Sequence, residues 1–296
     1  MDVIDVKNHG LVSHKGFLLI KGTHDPDAVD MIRNLEIKES DVLVVTYPKS
    51  GTIWMQQILL LLEAKGNLTA ISKHITFSNA ELVPWIEVQT EAFIKSRSPR
   101  MTVSHLPFSL LPSALSQKKG KVIYVARNPK DVLVSYFHFH KVGNMLETPM
   151  DFDDFFEKFM RGDVFASSWF EHIKAWYLHK DDINMLFLTY EEMVKDLHSA
   201  VERIALFLGS ALTDEQLADV VKHATFNNMK KNPQANYERV PGHLLSHHQG
   251  TFLRKGTIGD WKNHFTVAQN ERFDDTFHRE MADIPLDFIW DIKDVA

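Results

Sequence analysis

The chain of 296 residues contains no cysteine. Disulfide scaffolds, thiolate metal sites and cysteine nucleophiles are therefore excluded. It has no excess of positive charge either. The 33 Lys and Arg stand against 39 Asp and Glu, a formal net charge of −6, which argues against a general nucleic-acid binder while leaving room for a local basic pocket. Long apolar runs are missing too. The longest, Ile58 to Leu62, is far too short to cross a bilayer, so no membrane partner is expected. Met1 to Gly16 mixes Asp, Lys and His with apolar residues and holds no hydrophobic leader core, so the expected compartment is the cytoplasm. There, the sequon Asn67-Leu68-Thr69 and the tripeptide Arg161-Gly162-Asp163 carry no weight. Internal repeats and Pro/Gly/Ser linkers are lacking as well, and the expectation is a single domain over residues 1–296.

What is present is an ordinary soluble composition, 44% hydrophobic and 24% charged, arranged as strands alternating with helices. Asp41 to Tyr47 is a continuous β-branched run, the pattern of a strand buried on both faces, and Pro48 stops it. Thr52 to Glu63 reads as a helix. Arg100 to His105, Lys121 to Ala126 and Asn184 to Tyr190 read as further strands. Asn128-Pro129 supplies a helix cap and a first-turn proline for a helix running to about Lys141. Leu197 to Leu208 and Asp214 to His223, with Thr213 as cap, read as helices, and Tyr237 to Gly250 as a mobile loop. This alternation predicts an α/β fold with a central parallel β-sheet flanked by helices.

The sharpest local pattern is Tyr47-Pro48-Lys49-Ser50-Gly51-Thr52-Ile53-Trp54, placed between a buried strand and a helix. Unpaired backbone N–H groups and the helix dipole favour an anion there. Gly51 permits close approach, Lys49 adds a charge, and Ser50 and Thr52 add hydroxyls. The lysine precedes the glycine, so the P-loop pattern of nucleoside-triphosphate enzymes is not met. Arg127 stands where a magnesium carboxylate would close the 121–126 strand, which weakens a kinase reading and points to a protein that supplies its own positive charge. Ligands of open α/β sheets bind beyond the strands' carboxyl ends. Lys49, His105, Arg127 and Tyr190 occupy those ends. Arg127 with Ser135 on the next helix, and Arg254-Lys255-Gly256 in a glycine-punctuated loop, read as grips for a second anion. Phe226 and Met229 suit a base-stacking platform, and His105 is a candidate general base.

These segments, together with Asn128-Pro129-Lys130-Asp131-Val132 and Gly259-Asp260-Trp261, resemble the cytosolic sulfotransferase family in order and spacing over essentially the whole chain. The resemblance implies transfer of a sulfuryl group from 3′-phosphoadenylyl sulfate (PAPS) to a small acceptor, with adenosine 3′,5′-bisphosphate (PAP) released and no metal required. It implies that Lys49, Ser50, Gly51, Thr52, Ile53 and Trp54 hold the phosphosulfate end and adenine. Arg127, Ser135, Arg254, Lys255 and Gly256 would serve the 3′-phosphate, with Phe252 and Leu253 beside them among the cofactor-binding residues. Tyr190, Phe226 and Met229 would line the purine site, and Ala224 and Thr225 would also contact the cofactor. His105 would be the base and Lys49 its partner at the leaving oxygen.

Three positions depart from the family pattern: Val103 replaces a lysine of many phenol-type members, Ile53 a threonine, and Ala224 a serine or threonine. Trp85 and Phe139 are acceptor-pocket candidates, with Leu244 and Leu245 closing over them, and Glu81 or Glu87 could pair with a cationic amine. Lys262, Thr266, Val267 and Glu271 fit the family's short homodimer motif. A nucleotide-binding regulator and an ATP-dependent small-molecule kinase are the alternatives.

Overall fold

The computed structural model describes residues 10–295. Residues 1–9, which hold most of the segment read for a leader, lie outside the described residues, as does Ala296. Two short antiparallel strands, β1 (Leu11–His14) and β2 (Phe17–Ile20), form a hairpin. Four parallel strands, β3 (Val42–Thr46), β4 (Met101–Ser104), β5 (Lys121–Ala126) and β6 (Met185–Thr189), form the main sheet in the order β4-β3-β5-β6.

The unbroken apolar runs of β3 and β5 follow from burial on both faces. Side chains alternate across a strand. Leu43, Val45, Val122 and Tyr124 accordingly enter one core, and Val42, Val44, Ile123 and Val125 the other. The first core is covered by the helices Pro129–Val142, Phe152–Arg161 and Trp169–Leu178, through side chains such as Val132, Tyr136, Phe155 and Trp176. The second is covered by Thr52–Glu63, Leu197–Leu208 and Asp214–Ala224, through Met55, Ile58, Val201, Ile204 and Val220.

The expected α/β class and parallel sheet hold, with two corrections. Tyr190 does not end a strand. It opens the helix Tyr190–Lys195, because Thr189 caps that helix in a reciprocal box with Glu192: the Glu192 N–H reaches Thr189 Oγ1 at 3.1 Å and the Thr189 N–H reaches Glu192 Oε2 at 2.9 Å. The segment 237–250 is irregular, as expected, but it is tied down. Tyr237 donates its hydroxyl to Gln56 Oε1 at 2.6 Å, the Ser246 N–H reaches the Val142 carbonyl at 2.7 Å, and Leu245 is buried. Among the described residues no helix is long and apolar enough to cross a membrane.

Candidate active site

The chain leaves β3 for its neighbour β4 and then returns to place β5 on the other side of β3. This reversal makes the carboxyl ends of β3 and β5 the switch point where such sheets bind ligands. A cavity of about 480 Å³ opens there, within the range of small-molecule sites.

At one end lies the loop after β3. Gly51 has φ +106°, which favours glycine, and a Cβ on it would stand 3.2 Å from the Tyr190 ring, a tight contact. Lys49 adopts φ +68°, a left-handed conformation uncommon for a lysine. Its Nζ sits 3.8 Å from the centre of the Phe252 ring and 4.2 Å from that of Phe139. Burial, and then the charges of Arg127 and Arg254, lower its pKa to about 7. Ser50 does not face the cavity. It is wholly buried, and its hydroxyl has no hydrogen-bond partner. Thr52 lines the cavity and shares a 2.7 Å hydrogen bond with Thr46. Ile53 lines it too, packed with Tyr237 and Leu245.

The second cationic group assembles from three distant segments. The Arg127 guanidinium lies 4.1 Å over the Tyr190 ring and donates to the Lys49 carbonyl at 2.8 Å, while its buried Nε has no partner. Arg254 donates to Asp260 Oδ2 at 2.6 Å, and Lys255 to the other oxygen. Burial alone would raise the Asp260 pKa, but hydrogen bonds from Lys255, Asn263 and Arg254 hold it well below the usual carboxylate range. Asp131 joins the two halves, accepting the N–H groups of Gly259 at 2.7 Å and Trp261 at 3.0 Å. Gly256 (φ +63°) packs directly under Phe226. Ser135, Tyr190, Phe226, Met229, Phe252 and Leu253 line the cavity alongside these cations.

Two of the expected cofactor contacts, Ala224 and Thr225, lie away from the cavity lining. Ala224 is wholly buried, and its carbonyl accepts the Trp54 indole N–H at 2.7 Å, so it positions a ring that does line the cavity. Thr225 spends its hydroxyl on the Lys222 carbonyl at 2.9 Å.

His105 stands beyond β4. Its Nδ1 is 2.7 Å from the Thr46 carbonyl, which can only accept, so Nδ1 carries the proton and Nε2 keeps its lone pair. The backbone N–H of His105 donates to Glu87 Oε1 at 2.8 Å, and its backbone carbonyl lies 3.0 Å from His172 Nε2. Burial lowers the imidazole pKa to about 3, against a raising contribution from Thr46, with His172, His24 and Lys49 lowering it further. Trp85 lies 4.7 Å from the His105 ring, and Phe139 reaches the cavity beside Lys49. Leu244 and Leu245 also line the cavity.

Of the two candidate carboxylates, Glu87 lines the cavity, and burial lifts its pKa to about 7. Glu81 is instead consumed as a cap, accepting the N–H groups of Thr76, Phe77 and Ser78. Val103 is wholly buried in the sheet and does not line the cavity. Sequence reasoning missed His24 and Phe165 on the cavity wall, which nothing in the pattern marked. It also missed the roles of Asp131 and Asp260, although both stand inside segments it had singled out.

A family model described as a sulfotransferase domain matches residues 39–285. An amine sulfotransferase of Oryctolagus cuniculus is 46% identical over 290 residues, 97% of this chain and 95% of the relative. Human sulfotransferase 2B1 is 42% identical over 94% of this chain and 76% of its own length. Among solved structures, mouse sulfotransferase SULT7A1 complexed with PAP is 32% identical with a TM-score of 0.76, over 93% of this chain and 96% of that one. Retinol dehydratase in complex with retinol and PAP is 26% identical with a TM-score of 0.82, over 95% and 92%. A model match over most of the chain, and relatives of this identity along nearly all of it, establish that the chain belongs to the sulfotransferase family.

Proposed function

We propose that this chain, as one domain in the cytoplasm, moves the sulfuryl group of PAPS to a hydroxyl or amine of a small, largely apolar acceptor, with His105 as general base. The chain is a PAPS-dependent sulfotransferase, and PAP is the product. The observation that carries the acceptor and base assignments is the continuity of one cavity, lined by Lys49, Arg127, Arg254 and Lys255 as well as by His105.

The residues present suit such a donor. At Gly51 and Gly256 an added Cβ would press on Tyr190 and Phe226, two rings of the cavity wall, Arg127 Nε is a buried donor without a partner, and four cations line one cavity. PAPS brings the activated sulfuryl group, and the chain supplies the rest. Arg127, Ser135, Arg254 and Lys255 bind the 3′-phosphate. Trp54, Tyr190, Phe226 and Met229 hold the purine. Lys49 stabilises charge on the leaving oxygen.

His105 receives the acceptor's proton at Nε2, because Nδ1–H is committed to Thr46. Burial keeps the ring neutral and therefore able to accept. The negative charge of the transferring group opposes that depression and strengthens the base at the moment of transfer.

The rabbit relative, an amine sulfotransferase by name, favours an amine acceptor as the second reading. Glu87 Oε2, buried without a partner beside His105, is the carboxylate that would favour one. Lys262, Thr266, Val267 and Glu271 form the dimer contact in this reading.

The test is transfer of labelled sulfate from PAPS to a phenol, a hydroxysteroid and an aryl amine, compared between wild type and His105→Ala. The expected result is transfer by wild type and a loss of roughly 10²–10⁴-fold in the variant, with PAP affinity retained. An undiminished variant removes His105 from the chemistry.

A further inference from the structure

The wall of the acceptor end contains a second buried imidazole, His24, which the reaction described above does not use. Its orientation is set by the β1–β2 hairpin. The Lys21 N–H pairs with the Gly10 carbonyl at 2.6 Å. Backbone groups of successive residues in a strand point to opposite sides, so those of Ile20 turn away from β1. The Ile20 carbonyl accepts two N–H groups, from Thr23 at 3.2 Å and His24 at 2.9 Å. The Ile20 N–H reaches His24 Nδ1 at 3.1 Å. Nδ1 also lies 3.3 Å from the Ile20 carbonyl, but that oxygen is already served twice, whereas the N–H needs an acceptor. Nδ1 therefore accepts, and in the neutral ring Nε2 carries the proton.

Burial lowers the pKa of His24 to about 4, so the ring is neutral at physiological pH. It packs on Phe165 with ring centres 5.0 Å apart, and the same phenyl ring lies 5.9 Å from the His105 ring. One phenyl group thus carries two imidazoles of opposite tautomer. His105 presents an acceptor nitrogen to its surroundings and His24 a donor.

We propose that His24 is a specificity residue for the acceptor: its Nε2–H donates a hydrogen bond to an oxygen remote from the reacting group. Acceptors with a distal carbonyl, ether or second hydroxyl are then selected over their hydrocarbon analogues. A neutral N–H gains nothing from a distal ammonium group, so cationic tails are not favoured at this point. The proposal rests on the sulfotransferase reading of the cavity, and the experiment separates the two.

Binding to the enzyme–PAP complex is measured by calorimetry for two matched pairs: 4′-hydroxyacetophenone against 4-ethylphenol, and a 3-hydroxysteroid with and without a 17-ketone. Wild type is expected to bind the carbonyl member of at least one pair roughly 3–10-fold more tightly, the contribution of one net hydrogen bond. His24→Phe keeps an aromatic ring against Phe165 and should bring that ratio to about one. His24→Gln restores an N–H and should recover part of it. PAP affinity serves as the check on folding, and the wild-type ratio alone keeps the proposal testable if the Phe variant does not fold. A ratio near one in wild type overturns the proposal, as does a preference that survives in His24→Phe. Failure of sulfate transfer to every acceptor would instead count against the function proposed above, whatever the binding ratio.

Discussion

Gly256 offers the most stringent check on how the nucleotide end is built. Its φ is +63°, and a Cβ built on it would lie 2.2 Å from Phe226 Cδ2 and 2.6 Å from Cε2 and Cγ. Gly256→Ala therefore carries two separable penalties. Placing a β-carbon in the left-handed region costs about 1–2 kcal/mol. The overlap is with a ring rather than the free end of a flexible chain, and the ring must retreat by roughly 1 Å to reach ordinary contact, an overpacking cost of about 1–3 kcal/mol. The variant should lose about 2–5 kcal/mol of stability and weaken PAP binding by about tenfold or more, because Phe226 is displaced from the cavity wall.

A double-mutant cycle with Phe226→Ala separates the two penalties. In the Phe226→Ala background there is no ring to displace, so adding Gly256→Ala should cost only the backbone penalty of about 1–2 kcal/mol. The measurements are urea unfolding and PAP calorimetry on the four proteins. If Gly256→Ala binds PAP within twofold of wild type, or if its cost is the same in both backgrounds, the packing of the Arg254-Lys255-Gly256 segment against Phe226 does not shape the site and the reasoning fails.

Three further outcomes are expected. Lys49 has a pKa of about 7 in the folded chain against an ordinary 10.5, so between those values the unfolded chain binds more protons and stability rises with pH; Lys49→Met should flatten that rise. An anion bound beside Lys49 raises its pKa, so PAP binding at pH 8 should take up roughly half to one proton, read by calorimetry in buffers of different ionisation heat, and no uptake in wild type would refute the assignment. Val267 is 75% exposed on the first turn of the helix Val267–Glu280, so Val267→Glu should leave the melting temperature unchanged while sedimentation shifts from dimer to monomer; a wild type that sediments as a monomer would remove the contact.

How much of this was legible in the sequence depends on where the information sits. The strands β3 and β5 announced themselves because both faces are buried, which leaves an unbroken apolar run. The helices Thr52–Glu63 and Leu197–Leu208 match their expected bounds, and the cap at Asn128 was readable because an Asn-Pro step has a local cause. The Asn128 carbonyl oxygen of the side chain accepts the Asp131 N–H at 2.9 Å. The hairpin of β1 and β2 was not readable, since Leu11–His14 and Phe17–Ile20 are four residues each and carry little periodicity. Tyr190 was misassigned because a continuing apolar pattern hid the Thr189–Glu192 box. His24 gave no signal, because its meaning comes from a strand's outward-facing N–H and from a phenyl ring about 140 residues away in sequence.

The charges show most clearly what a sequence withholds. The resemblance placed Lys49 at the leaving oxygen and Arg127, Arg254 and Lys255 at the 3′-phosphate, and the fold gives these cations different partners. Arg254 and Lys255 share the buried Asp260, so their charge is partly neutralised within the protein, and the carboxylate fixes their positions. Lys49 and Arg127 face aromatic rings and backbone carbonyls instead. Rings and carbonyls orient a cation without cancelling its charge. The cationic groups without a carboxylate partner therefore concentrate at the switch point between β3 and β5, where burial and the neighbouring arginines hold the Lys49 pKa at about 7 until an anion binds. Sulfuryl transfer gathers negative charge on the leaving oxygen, and only an interaction stronger in the transition state than in the ground state accelerates it. A cation already neutralised by a carboxylate gains less from that developing charge than one held by rings. The pairing pattern thus supports the proposed division, with Arg254 and Lys255 serving binding and Lys49 serving rate.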